Sequence, residues 1–600
     1  RSTPLYSSAA SDVYKRQLSD DAKALDEVVV IGYGTAKRKD ITGSVASVNS
    51  ETLAAIPVAS ATEALQGKMA GVQITTTEGS PDAQMSIRVR GGGSITQSNE
   101  PLFIVDGFPV ESISDIPPTD IESIDVLKDA SSTAIYGARG ANGVIIVTTK
   151  SGKEGKVSVS YNAYYAWKKV AKTLDVLSAS DYTKWQYELA QLTNKNDDYI
   201  KYFGNYQDLD MYDNVATNDW QDLTFGRTGH SFNHNLSING GSDKFKYSFS
   251  YSHIDDKAIM QMSDYARDNL NLKLNHKPLK NVSLDFSARF SKTKINGGGS
   301  NDANSSLNTD KRLKYSLLYT PYPVPGISDA LNADEEDANS LLINPLISLR
   351  DNDTRKERIN YNLAGSITWE IIKDLKLKAE VGYDDYRNNA DRYYGVTTYY
   401  VRNNVDDEDK SKPAISFTRG TRTAFRSTNT LSYDFKKFFK NNKNHLNLLA
   451  GQEYIVTRER ELRNVVHGFP TEYTADDCIN YSTKGNPYEV TNYGYPDDVL
   501  FSFFGRANYD FDSKYLFSAT FRADGSSKFA KGNQWGFFPS AAVAWRISSE
   551  SFMENTKNWL DDLKLRFSYG TAGNNNIPSG QISQLYELNK TPWINGVNSY

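Results

Sequence analysis

Residues 245–251 read Phe-Lys-Tyr-Ser-Phe-Ser-Tyr. Aromatic rings occupy every second position, with Lys246, Ser248 and Ser250 between them. Successive side chains of an extended strand point to opposite faces, so this stretch specifies one apolar face and one polar face. The same period returns at 282–290 (Val-Ser-Leu-Asp-Phe-Ser-Ala-Arg-Phe), 375–383 (Leu-Lys-Leu-Lys-Ala-Glu-Val-Gly-Tyr) and 270–274 (Leu-Asn-Leu-Lys-Leu). It begins near Val157, and strands can be counted up to Thr571.

The connections between these strands narrow the choice of fold. Short turns fall near 239–243, 276–281, 372–374, 436–444 and 511–513. Longer connections fall near 170–229, 253–266, 295–357, 389–421 and 461–497. Short and long alternate up to residue 513, which is the pattern of tight periplasmic turns and long extracellular loops in an outer-membrane barrel. A soluble sandwich explains the alternation within strands but not this parity of loop lengths. The parity also orients the chain, placing the domain before the first strand on the periplasmic side.

Composition excludes several other classes. The chain has 600 residues and a net charge of -5, so nothing points to a nucleic-acid partner. Its single cysteine, Cys478, rules out a disulfide framework and any multi-cysteine metal site. No apolar run approaches the ~18 residues of a membrane helix, a test that leaves a membrane β-barrel untouched.

Residues 24–150 differ in texture, being rich in Gly, Ala and Val. Strand-like runs at Val28–Ile31, Val72–Thr75, Ile87–Val89, Leu102–Val105 and Val144–Thr148 mix with helix-like runs at Ala61–Ala70 and Ala130–Tyr136. This reads as a small α+β domain. Residues 1–17 are polar, without the apolar core of a secretory signal, and look foreign to the rest.

The pattern yields about 13 strands before residue 571, whereas single-chain bacterial barrels close with an even number. An open seam in lipid exposes about five unpaired groups per edge at several kcal/mol each, which is tens of kcal/mol. Barrels with a plugged lumen have about 22 strands. The expectation is therefore a fragment lacking both ends, with about nine strands absent.

Four stretches carry a family resemblance: DEVVVIGYG at 26–34, RVRGGGSITQSNEPLFIVDGFPV at 88–110, DIESIDVLKDASSTAIYGARGANGVIIVTTKSGK at 120–153 and RADGSSKFAKGNQWGFFPSAAVAWRISSESFM at 522–553. Together they resemble the SusC/RagA family of TonB-dependent outer-membrane transporters. The resemblance implies an α+β plug domain followed by a transmembrane antiparallel β-barrel. It divides the chain into a non-native or disordered start (1–23), a Ton box and linker (24–39), the plug (40–150) and the N-terminal part of the barrel (151–600). It implies import of a glycan or peptide oligomer across the bacterial outer membrane, energised by TonB and assisted by a SusD-like surface lipoprotein. No cofactor, metal or catalytic site is implied.

The residues themselves support parts of this reading. Glu27, Val28, Val29, Val30 and Ile31 form a β-branched run ahead of Gly32-Tyr33-Gly34. Such a run can add as a strand to a partner's sheet edge, or serve as an ordinary strand of the domain; the resemblance selects TonB binding. Arg88, Arg90, Gly91, Asp106, Gly107 and Arg139 match the plug motifs, and arginines in a polar lumen are expected to pair with wall carboxylates. Gly137–Gly143 follows a helix-like run and precedes a strand, the reverse of a dinucleotide loop. His230 and His234 are four apart, which on a strand is ~13 Å and too far for one ion. HExxH, GxSxG and EF-hand patterns are missing from the sequence, so catalysis is not expected. Trp185, Trp220, Tyr319, Tyr322, Tyr399 and Tyr400 fall in loops and suit either substrate stacking or an interfacial girdle. A siderophore or cobalamin receptor, or a passive porin, is the competing reading.

Overall fold

The computed structural model describes residues 28–37, 40–54, 58–76, 82–83, 85–92, 98–297, 312–324, 343–403, 408–435, 443–556, 558–582, 591–594 and 597–599. The proposed foreign start and Glu27 lie outside them.

Among the described residues the first domain contains nine strands: β1 (Val28–Ile31), β2 (Gly34–Lys37), β3 (Val45–Asn49), β4 (Val72–Thr76), β5 (Met85–Val89), β6 (Leu102–Val105), β7 (Phe108–Val110), β8 (Ile121–Leu127) and β9 (Val144–Thr149). Five of them form a mixed sheet in the order β3-β8-β9-β6-β7, in which β6 and β9 run parallel. Leu53, Leu65, Ile113, Ile121, Ile124 and Ile145 pack one core on it, each almost fully buried. The expected helix over Ala61–Ala70 is a single turn, Ala61–Ala64, capped by the Ser60 side chain.

The wall contains β10 (Gly155–Lys168), β11 (Gly229–Gly241), β12 (Phe245–Lys257), β13 (Asp264–Leu279), β14 (Val282–Asn296), β15 (Thr354–Ile372), β16 (Leu375–Tyr394), β17 (Ala414–Asp434), β18 (Asn444–His467), β19 (Asn486–Gly494), β20 (Asp498–Phe511), β21 (Tyr515–Ser526), β22 (Trp535–Arg546) and β23 (Lys564–Gly570). They form one antiparallel sheet of 14 strands, in which β19 branches off β18 and the other strands follow chain order. Among the described residues β10 and β23 each have one neighbour, so the sheet is not closed.

The two faces are the inverse of a soluble protein's. Phe286 is 42% exposed and Val381 52% exposed on the outer face, while the intervening Ser250 and Asn271 are 6% and 8% exposed on the inner one. An outward apolar face and an inward polar face are what a lipid-embedded barrel requires.

Three of the long connections are shorter than the sequence suggested, by seven residues or more. Strands continue past the point where apolar alternation fades, so 253–266, 389–421 and 461–497 reduce to 258–263, 395–413 and 468–497, the last containing β19. The reason is that β16, β17 and β18 have 20, 21 and 24 residues. At ~3.3 Å per residue they greatly exceed a ~25 Å apolar band, and the projecting ends need no apolar face. The loops have cores of their own: Tyr182, Tyr199, Phe203, Tyr322 and Val324 pack between helices of the 169–228 connection and residues 322–324. Tyr319 is buried with Trp220 edge-on to it, and Tyr400 stacks on Tyr394, so these aromatics are committed to loop packing.

Candidate functional site: the contact between plug and wall

The site begins at a two-residue turn. Asp106 and Gly107 join β6 to β7 with φ of 51° and 86°. Both values are positive, as a type I′ hairpin turn requires, and Asp-Gly is a favoured pair for it. The turn is anchored on the domain side by Asp106, which accepts from the Thr149 amide (2.9 Å) and hydroxyl (2.8 Å). On the wall side Lys273 donates to Asp106 at 2.7 Å and Arg426 Nη1 donates to the Gly107 carbonyl at 2.5 Å. Burial alone would raise the Asp106 pKa, but Lys273 and Arg289 reverse the sign and hold the carboxyl below its usual range.

A second segment, Ala134–Arg139, docks beside it. Gly137 adopts φ 55° and ψ -119°, and a Cβ there would lie 2.1 Å from Asp524 Oδ2. The sharp backbone turn aims the Ala138 amide at that carboxylate, at 2.6 Å. Arg139 Nη2 then donates to Glu453 Oε2 at 2.9 Å.

Glu453 is the hub. It is 1% exposed and also accepts from Arg426 Nε at 2.9 Å and Arg522 Nη2 at 2.7 Å. Arg522 is fully buried and extends to Asp524 (2.6 Å), the Ile135 carbonyl (2.8 Å) and the Tyr33 hydroxyl (3.1 Å). Arg426 extends to Glu380 at 2.6 Å. Three arginines and three carboxylates thus meet inside the lumen in mutual hydrogen bonds, the condition under which buried charge is tolerated.

Most other contacts run from wall donor to domain acceptor. Arg267 donates to the carbonyls of Ser114 and Ala59, Lys564 to that of Ile41 and Arg566 to that of Gly43. Arg358 pairs with Asp82 and Asp115, and Arg546 with Asp40. This corrects the expected polarity, in which plug arginines grip wall carboxylates: of the three plug arginines named, Arg139 alone does so. Arg88 and Arg90 are exposed, and Arg90 reaches Ser44 Oγ at 3.3 Å. Gly91, with φ 102°, turns the chain at this exposed edge.

The Val28–Ile31 run is not a free strand here. It pairs with Gly34–Lys37 around the two-residue turn Gly32-Tyr33. Tyr33 inserts into the lumen, stacked on Phe504 at 4.2 Å, with the Arg426 guanidinium 5.8 Å from its ring.

On the loop side of the Asp106-Gly107 turn two clefts of about 400 and 550 Å³ adjoin, both lined by Glu100, Glu111 and Arg422. Burial, then the neighbouring Glu111, raises the Glu100 pKa. Arg139 lines the second cleft and so faces both this space and Glu453. Groups of three or more His, Cys, Asp or Glu able to hold a metal do not occur among the described residues. His230 and His234 instead bond Tyr165 and Tyr161 across the β10–β11 pair.

An α+β domain seated by charged contacts against the polar face of a strand wall whose other face is apolar defines a plugged barrel. Residues 37–144 match the TonB-dependent receptor plug domain, and residues 298–598 match the TonB-dependent receptor-like β-barrel. The chain belongs to the TonB-dependent receptors. It is 33% identical to the TonB-dependent receptor SusC of Bacteroides thetaiotaomicron, over 93% of this chain and 54% of that protein. It is 32% identical to TonB-dependent receptor P3 of Formosa agariphila, over 97% of this chain and 55% of that one. The chain therefore spans about half the length of the curated relatives it matches. Among solved structures, the RagAB peptide importer in its open-open state superposes with a TM-score of 0.75 at 26% identity, covering 96% of this chain and 64% of that one. The unliganded ferric citrate transporter FecA, at 12% identity and a TM-score of 0.53, shares the fold alone. The SusC/RagA resemblance read from the motifs stands, and these relatives are named as receptors and importers rather than as enzymes.

Proposed function

We propose that this protein is a TonB-dependent importer of oligomeric nutrients, glycan or peptide, across the bacterial outer membrane. In this reading residues 24–39 are the Ton box and linker, 40–150 the plug and 151–600 wall. TonB pairs with Glu27–Ile31, and a SusD-like surface lipoprotein closes over the loops. One observation carries the reading: the plug is seated in the lumen by buried ion pairs, and the candidate Ton-box hairpin is lodged against the same cluster. A passive porin has no use for either feature. The likeness to the RagAB peptide importer supports a peptide cargo, and the SusC/RagA resemblance of the motifs supports a glycan alternative and a lipoprotein partner. The site chemistry agrees, because the arginine–carboxylate seat is strong in a closed lumen yet reversible under load.

The test is deletion of residues 27–31 from the full-length protein in cells growing on its cargo. Uptake should be lost, while cargo binding to the purified protein stays within twofold. Uptake that persists at the wild-type rate would defeat this assignment.

A further inference from the structure

We infer that Tyr33 is a latch: its side chain holds the Val28–Ile31 hairpin in the lumen and joins it to the Arg522–Glu453–Arg139 cluster that seats the plug. The inference rests on the import reading for its purpose but not for its geometry.

Val28–Ile31 has Gly34–Lys37 as its one sheet neighbour among the described residues, so an incoming strand would pair at its other edge. Pairing at that edge alone leaves Tyr33 in place, because Tyr33 sits in the turn and not in either strand. A pull along the chain reaches the turn next. The flanking Gly32 and Gly34 have no side chains to hold, and Gly32 has φ 62°, so grip at the turn falls to Tyr33.

That grip has two parts. The ring lies 4.2 Å from Phe504 at 15° and 6.2 Å from Tyr136. The hydroxyl accepts from Arg522 Nη1 at 3.1 Å. Burial keeps the phenol protonated, so it bonds as a neutral acceptor. Extracting Tyr33 strips a fully buried guanidinium of one partner, and that same guanidinium donates to Glu453, the carboxylate that holds Arg139. Four residues therefore connect the hairpin to a side chain lining the cleft on the loop side.

The experiment uses purified full-length protein without TonB, carrying Val30→Cys, and measures its rate of labelling by a soluble maleimide. Cys478 is fully buried and does not interfere. Tyr33→Phe removes only the hydrogen bond to a charged group and should speed labelling about tenfold to a hundredfold. Tyr33→Ala removes ring and hydroxyl and should speed it further. In parallel, Val147→Cys, in the plug core, should stay unlabelled in both backgrounds. Unchanged labelling at position 30 in both variants overturns the latch, as does equal acceleration at position 147, which means general loosening of the plug. If Tyr33→Ala does not assemble, the Tyr33→Phe rate decides alone. Labelling needs neither TonB nor cargo. A protein that labels as expected but never imports sinks the import reading, and one that imports with unchanged labelling sinks the latch.

Discussion

Replacing Glu453 by Ala should loosen the plug by about 3–5 kcal/mol, the cost of leaving a buried charge without its partner. The figure can be followed through the contacts. Glu453 accepts one hydrogen bond from each of Arg139, Arg426 and Arg522, at 2.9, 2.9 and 2.7 Å. Without it Arg426 still has Glu380 and Arg522 still has Asp524, both at 2.6 Å. Arg139 has no other carboxylate among the described contacts, so the penalty concentrates on the one arginine that the plug contributes. At about 1.4 kcal/mol per tenfold, the open population rises by about two to three and a half powers of ten. Glu453→Gln keeps an acceptor and loses the charge, which places it at about 1.5–3 kcal/mol. The assay is ion conductance of the purified full-length protein in planar bilayers, with plug proteolysis alongside. Leak should rank Ala above Gln above wild type. The double variant Arg139→Leu/Glu453→Leu should leak less than Glu453→Leu alone, because no guanidinium of the plug is then stranded. Equal conductance and equal proteolysis in Glu453→Ala and wild type would falsify the claim that this cluster seats the plug.

Three further outcomes follow from other parts of the structure. Asp106 has a lowered pKa in the folded protein, so its docking contribution is fully present above its unfolded value of about 3.9 and is lost as pH falls through the lower folded value. Plug retention, followed by proteolysis against pH, should therefore hold down to about pH 4 and drop below it, whereas Asp106→Asn should be weakened across the range. Gly137→Ala should prevent seating of the plug, since its Cβ would collide with Asp524 at 2.1 Å in a left-handed conformation, and the readout is recovery of heat-modifiable barrel. Val381→Arg, on the outer face, should cost about 2–4 kcal/mol in folding titrations into lipid bilayers; a neutral result would remove the lipid from that face.

The wall was legible because one rule, period two, governs it over hundreds of residues. The reading of about 13 strands before residue 571 agrees with the 13 described strands on the sheet's path, and β19 escaped because it is a short strand that pairs inside a long connection. Strand ends were not legible: beyond the apolar band nothing distinguishes Thr354-Arg-Lys-Glu from a polar loop, although it is β15. In the plug, β8 (Ile-Glu-Ser-Ile-Asp-Val-Leu) was missed because Asp125 interrupts its apolar run. Asp125 is buried 2% exposed, satisfied by Ser47 Oγ at 2.5 Å on the neighbouring strand. Of the site, the Asp106-Gly107 turn and Arg139 could be picked out from motifs. Glu453, Arg426 and Arg522 could not, since each is one more charge on a polar face until the plug stands opposite it.

The direction of the contacts explains why so little of the seat is written in the plug. A wall arginine that donates to a backbone carbonyl asks nothing of the plug residue except its place in space. Ser114, Ala59, Gly43, Gly107 and Ile135 are all held this way, and Lys564 holds the Ile41 carbonyl likewise. Carbonyls offer two lone pairs each and occur at every residue, so these contacts depend on where the plug backbone lies and not on which side chain it carries. Tyr33, Asp40, Asp82, Asp106, Asp115 and Arg139 are different, because each meets the wall through its own side chain. Their loss should change how the plug is released, whereas substitution at Ser114 or Ala59 by residues of similar size should leave it within about 0.5 kcal/mol.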